Sequence, residues 1–109
     1  MTCKRYDVHW VELDPARGSE LRKTRPAVIV SMDVLNRALE TVVVCPLTSQ
    51  MHPDWRTRLP VKIAGKRSEI AADQIRTVSK SRIGKKLGSL SARDAAALRR
   101  LLGEMYGDS

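Results

Sequence analysis

Phenylalanine is absent from this 109-residue sequence, and aromatic residues make up only 4% of it. That scarcity argues against an RNA-binding sheet that stacks bases on paired aromatics. The two cysteines, Cys3 and Cys45, are too few for a disulfide framework. Cys45 closes the run Val42, Val43, Val44 and is expected to pack as a small hydrophobe. Histidine is equally sparse, with His9 and His52 alone. No C-x-x-C, H-x-x-x-H or acidic-loop spacing occurs, so no metal site and no cofactor are expected. Long apolar runs are missing too: Thr41 to Leu47 and Pro26 to Val30 are far too short to span a bilayer. Residues 1–20 show no apolar stretch followed by small residues, so no signal peptide is read there. The expectation is a cytoplasmic chain without a membrane partner.

Negative charge is also in short supply. Twenty Lys and Arg face twelve Asp and Glu, a formal charge of +8 with a pI near 10.1. Such a balance points to a polyanion, either nucleic acid or an anionic membrane, with plain solubility as the bland alternative. A membrane-surface role would want a basic amphipathic helix with bulky apolar residues, and the one clear helix holds alanines and leucines that a core would claim. Composition does not choose between DNA and RNA. The length fits one domain with one modest core, since chains add domains at roughly 100–200 residues each.

Alternation of Tyr6, Val8 and Trp10 with Asp7, His9 and Val11 predicts a first strand ending near Leu13. Asp14 to Lys23 reads as a polar loop, long for a small domain and therefore a functional candidate. Buried strands are expected at Ala27–Ser31 and Thr41–Leu47, separated by a turn or short helix over Asp33–Leu39. Pro46 is expected at a strand end, because proline cannot donate to a ladder. A second polar loop covers Thr48–Thr57. Further strands are read at Arg58–Ile63, Ser68–Ala72, Gln74–Val78 and Leu87–Ser89, with a turn at Ala64–Arg67 and a basic connector at Lys80–Lys86. Ser91 caps the helix, with Asp94 three residues on; Ala95, Leu98, Leu101, Leu102 and Met105 share one face, and Gly107 can close it. Many short strands followed by a terminal helix fit a mainly β (α+β) domain, a small, strongly bent antiparallel sheet or partial barrel.

Chemistry is expected where the two polar loops flank the two most buried strands. If those strands are antiparallel neighbours, Arg25 and Thr48 face each other across the sheet edge, and a cation and a hydroxyl come within reach of one phosphate. The blocks around them resemble the MazF/PemK toxins of bacterial toxin–antitoxin systems, which share their fold with the CcdB toxins. These blocks are Tyr6-Asp7-Val8 with Leu13-Asp14-Pro15, Gly18-Ser19-Glu20, Thr24-Arg25-Pro26 with Val28-Ile29-Val30, and Pro46-Leu47-Thr48-Ser49-Gln50. Asp73-Gln74-Ile75-Arg76-Thr77-Val78, Lys80-Ser81-Arg82 and Gly84 complete the series. Each block is weak alone; in this order, over nearly the whole chain, they are specific.

The resemblance implies an SH3-like, partly open barrel working as a homodimer, and a ribosome-independent endoribonuclease that cuts single-stranded RNA at short sequences. It implies a cognate antitoxin as partner, with an acidic, partly disordered tail. The family's catalytic arginine falls on Arg25, its hydroxyl on Thr48 or Ser49, and its loop glutamate on Glu20. The reaction it implies is attack by the substrate's own 2′-hydroxyl, giving a 2′,3′-cyclic phosphate and a 5′-hydroxyl without metal. Arg25 suits the charge that builds on the phosphorane oxygens. Thr48 is a poor base and better suited to orient the 2′-hydroxyl, or simply to cap a turn. Glu20 is a holder of Arg25, a base, or a solvated charge. Around the site, Ser19, Lys23, Ser49, Gln50, His52, Trp55, Arg58, Gln74 and Arg76 are candidates for RNA contact. His9, alone on a strand, reads as structural.

Departures from the family pattern also occur. Tyr6 stands where a glycine usually begins the first strand, Leu21 replaces the usual glutamine, and Arg22 with Lys23 replaces a loop glycine. Expected around the groove, they bear on the cut sequence more than on the reaction. Two competing readings are a non-catalytic poison of DNA gyrase in the CcdB manner and an RNA-binding module without cleavage.

Overall fold

The computed structural model describes residues 2–13 and 24–107. Seven antiparallel strands and two α-helices follow in the order β1 (Asp7–Glu12), β2 (Thr24–Ile29), α1 (Asp33–Ala38), β3 (Thr41–Thr48), β4 (Arg58–Ile63), β5 (Lys66–Ala71), β6 (Arg76–Ser79), β7 (Ile83–Ser89) and α2 (Ala92–Tyr106). Short 3₁₀ turns at Ala72–Gln74 and Lys80–Arg82 flank β6. The strand order is β4-β5-β3-β2-β1-β7, with β6 also paired to β3. This is the curled, partly open sheet with a C-terminal helix that the sequence predicts.

Strand β3 is the seam of the molecule. Along one edge it pairs with β2, matching Ala27 to Pro46, Val28 to Cys45 and Ile29 to Val44. Along the other, Thr41–Val44 pair with β6, and Leu47 and Thr48 pair with Ile70 and Glu69 of β5. Alternate residues of the central strands feed two cores. Val8, Val28, Cys45 and Leu47 pack with Ala95 and Leu98 of α2, while Val11, Ala27, Ile29 and Val44 pack with Cys3, Val78 and Ile83. Strands buried on both faces read as continuous apolar runs, which is why β2 and β3 stand out in the sequence.

Boundaries differ from expectation for physical reasons. The turn expected over Ala64–Arg67 contracts to Ala64 and Gly65, both at positive φ (51° and 78°), and Lys66 already pairs with Ile63. This is the two-residue hairpin geometry whose twist suits antiparallel strands. Gln74 lies in a 3₁₀ turn, and the strand expected from it starts at Arg76. The basic connector is mostly strand: β7 runs from Ile83, hidden in the sequence because an edge strand carries solvent-facing Lys85 and Lys86. Gly84 allows a close approach there, since a Cβ would press on the Trp10 carbonyl oxygen at 3.1 Å.

The backbone at Tyr6 explains why the family pattern has glycine there. Its φ is 71°, a left-handed conformation in which a side chain costs about 1–2 kcal/mol and glycine nothing. Its side chain lies beside α2, receiving Arg99 at its hydroxyl (3.4 Å), and lines neither of the cavities described below. Ser91 caps α2 as expected, its hydroxyl accepting the Asp94 N–H at 3.1 Å. Met32, Val34, Leu35 and Leu39, on α1 and its ends, are 45–55% exposed and form an apolar cluster on the described surface.

Candidate active site

A proline shapes the site through a hydrogen it lacks. Val30 donates its N–H to the Val43 carbonyl at 2.9 Å. In an antiparallel register every second residue turns its backbone polar groups to the same neighbour, so Val28 and then Pro26 face β3. Pro26 has no N–H to give, and the paired register stops at Ala27 and Pro46. Continuing it would set Arg25 against Thr48. Both therefore sit at strand ends, beside a ladder that has just run out. Pro46 is not at the strand end predicted for it. Its nitrogen faces the opposite edge of β3, where β6 has ended at Val44 and β5 begins at Leu47, so no partner needs its hydrogen there.

Arg25 and Thr48 line both of two adjoining cavities. The larger, about 560 Å³, is bordered by Trp10, Pro26, Leu47, Ile63 and Leu87, with Ser49 and Lys66 at its polar side. The smaller, about 310 Å³, is polar and bordered by Gln50, His52, Arg58, Gln74 and Arg76. Among the described residues no carboxylate pairs with the exposed Arg25 guanidinium. The Thr48 hydroxyl oxygen accepts the Gln50 N–H at 3.1 Å. It thus caps a turn, and the same bond fixes the oxygen and leaves the hydroxyl proton free to be donated. A bond donated into its lone pair makes Thr48 a still weaker base.

Below the polar cavity lies a network of opposite charges. The Arg58 side chain is only 6% exposed; its Nε donates to Asp73 at 2.9 Å and its Nη1 approaches Glu69 at 3.4 Å. Partial desolvation works to raise the Asp73 carboxyl, but hydrogen bonds from Arg58 and Thr57, with the Arg58 charge, outweigh it and hold Asp73 below the ordinary carboxylate range. Trp55 is 49% exposed and lines neither cavity; it is stacked on His52 and touched by Arg58. Cys45, beneath the site, has its thiol pushed up to about 12 by burial and the nearby Asp73 charge, so it stays protonated and inert. His9 is buried on β1, its Nδ1 3.0 Å from the Gly84 carbonyl, in agreement with a structural role.

The structure brings Arg25, Thr48, Ser49, Gln50, His52, Arg58, Gln74 and Arg76 together around the two cavities, and leaves Trp55 outside both linings. Glu20, Ser19 and Lys23 lie outside the described residues. Sequence reasoning overlooked Trp10 and Leu87, which supply apolar wall, and Glu69. The only sequence trace of Glu69 is a lone acid inside the stretch Ser68-Glu69-Ile70-Ala71-Ala72.

Residues 4–106 match the family model described as PemK-like, MazF-like toxin of type II toxin–antitoxin system. The chain belongs to that family. Among relatives of this MazF-like toxin, endoribonuclease EndoA of Bacillus subtilis is 36% identical over 98 residues, covering 83% of this chain and 82% of that protein. Endoribonuclease MazF of Staphylococcus saprophyticus is 32% identical over 96 residues, 81% and 78% of the two chains. The toxin fold recurs in a crystal structure of MazE-MazF from Deinococcus radiodurans, with a TM-score of 0.84 over the whole of both chains at 23% identity. It recurs again in an endoribonuclease in complex with its cognate antitoxin from a Mycobacterial species, with a TM-score of 0.81, 23% identity and coverage of 97% and 96%.

Proposed function

We propose that this chain is a sequence-specific, ribosome-independent endoribonuclease toxin that cuts single-stranded RNA, mRNA included, through the substrate's own 2′-hydroxyl. The observation that carries the reading is the place of Arg25 and Thr48, one on each strand where the β2–β3 ladder stops, both lining the same two cavities. The relatives EndoA and MazF are named endoribonucleases, which supports extending that activity to this chain.

In the proposed reaction the 2′-oxygen bonds to phosphorus and loses its proton, while the bond from phosphorus to the 5′-oxygen breaks and that oxygen takes a proton. The products are a 2′,3′-cyclic phosphate and a 5′-hydroxyl. Negative charge peaks on the non-bridging oxygens, and a fixed cation there is usually the largest catalytic contribution. Arg25 supplies it with two parallel donors. A guanidinium holds its protons too tightly to release one outright, so the leaving oxygen is protonated through water. Thr48, oriented by the Gln50 N–H, positions the attacking hydroxyl. The abstracted proton goes to the Glu20 carboxylate or to water. Loss of the acidic limb of the pH–rate profile in Glu20→Gln marks the carboxylate, and an unchanged profile marks water. Ser19, Lys23, Ser49, Gln50, His52, Gln74 and Arg76 hold the flanking nucleotides.

The same reading gives the toxin a cytoplasmic setting and a cognate antitoxin whose acidic, partly disordered tail folds across the basic groove. The MazE-MazF complexes of Deinococcus radiodurans support such a partner. It also gives a homodimer, supported by the apolar cluster of Met32, Val34, Leu35 and Leu39. The test is incubation of the purified protein with a long single-stranded RNA in EDTA, followed by mapping of the ends. Discrete cuts with 5′-hydroxyl termini are expected, and Arg25→Ala should lower kcat by about 10²–10³. A requirement for divalent metal would overturn the mechanism. RNA bound but uncut would leave a binding module, and uncut RNA with inhibited gyrase would leave a gyrase poison.

A further inference from the structure

Glu69 carries a charge that no step of the proposed reaction uses, yet it is 1% exposed. Its register partner is Thr48, so the two side chains stand on the same face of the sheet. Both Glu69 oxygens accept the backbone N–H of His52, at 2.9 and 3.1 Å, and Oε1 also meets Arg58. The Arg58 guanidinium lies 4.6 Å from the Trp55 ring centroid. The Trp55 ring lies 4.0 Å from that of His52 at an interplanar angle of 12°. His52, not Trp55, borders the polar cavity beside Arg25 and Thr48. A buried carboxylate that could be replaced by an apolar residue without loss of stability calls for another reason to be there. Here the reason is at hand: it fixes the loop after Thr48 at one point, the His52 amide, and fixes the backing of the His52 ring through Arg58 and Trp55.

We propose that Glu69 is a positioning residue that holds His52 as a preformed stacking surface for a nucleobase next to the cut, with Trp55 and Arg58 as its support. The proposal rests on the ribonuclease reading above. Stacking tolerates any base, because every base has a π-face. The edges of that base are left to Gln50 and Gln74 across the cavity. Arg58 borders the cavity, but its guanidinium is committed to two carboxylates and 6% exposed, so its part here is to back Trp55.

The test reads RNA affinity and cleavage separately. Affinity is measured by anisotropy of a labelled single-stranded RNA of random sequence, and kcat and KM on an oligoribonucleotide spanning a cut mapped in the long RNA. Glu69→Gln keeps the volume and removes the charge. It should weaken RNA binding and raise KM about tenfold, with kcat within about threefold, the size expected for one lost stacking partner. Deuterium exchange of the His52 amide, read without RNA, should be at least about tenfold faster, as a weakened bond to the carboxylate implies. His52→Ala should match Glu69→Gln in affinity, whereas His52→Phe should stay within about threefold of wild type because the ring face is kept. Because Glu69→Gln leaves Arg58 short of a partner, Glu69→Met with Arg58→Met provides a second variant in which the whole pair is replaced by apolar groups. That double variant should stay folded, with one cooperative melting transition, and show the same weakened binding. Wild-type affinity in either Glu69 variant, or a fall in kcat with KM unchanged, would overturn the proposal. A wild type that leaves RNA uncut sinks the nuclease reading; the affinity and exchange measurements still decide the role of Glu69.

Discussion

Asp73 secures Arg58 from the open side of the charge network, while Glu69 secures it from below. The folded carboxyl titrates below its ordinary value of 3.8. A depressed carboxyl stabilises the fold above the unfolded value, and the contribution disappears as pH falls through the folded one. Asp73→Asn should therefore cost stability at pH 7, by about 1 kcal/mol or less because the pair is partly solvated. The difference in Tm between variant and wild type should shrink as pH falls below 3.8 and vanish once the folded carboxyl is protonated. A gap that stays constant down to acid would show that the carboxylate charge is irrelevant. At this scale Arg25 and Thr48 were legible, because both adjoin the most apolar runs and carry family motifs. Glu69 was not. A lone acid in a strand reads as a solvent-facing charge, and only the fold of the 49–57 loop over that face buries it.

At the scale of elements, the site depends on where a ladder ends. Pro26→Val would supply the missing N–H and allow β2 to pair one step further along β3. Stability should hold or rise by about 0.5–1.5 kcal/mol, the usual worth of one backbone hydrogen bond. Activity should fall by about tenfold or more, because drawing Arg25 and Thr48 together displaces groups whose placement matters to within about 1 Å. Urea melts and single-turnover cleavage read the two effects, and undiminished cleavage with a raised Tm would refute the assignment. Strands β1, β2 and β3 and helix α2 were legible from apolar runs and a capping pattern. The greater part of β7 was not, because its edge position replaces alternation with lysines and glycines. The hairpin at Ala64 and Gly65 was drawn too wide, since alanine gives no sign of a positive φ.

At the scale of the whole molecule, the excess of +8 acts on RNA at a distance before any groove residue touches it. Each phosphate neutralised contributes about −0.7 to the slope of log affinity against log salt for a single strand. KM for RNA should thus climb steeply between roughly 50 and 200 mM salt while kcat stays level. A KM indifferent to salt would place recognition in base contacts alone. The opening beside Arg25 has a different origin, since it begins where a backbone nitrogen has no hydrogen to offer, whichever side chains wall it. Residues around such an opening are released from the duty of keeping it open. Chains with this architecture can therefore change the side chains that wall the opening while the opening keeps its place in the fold.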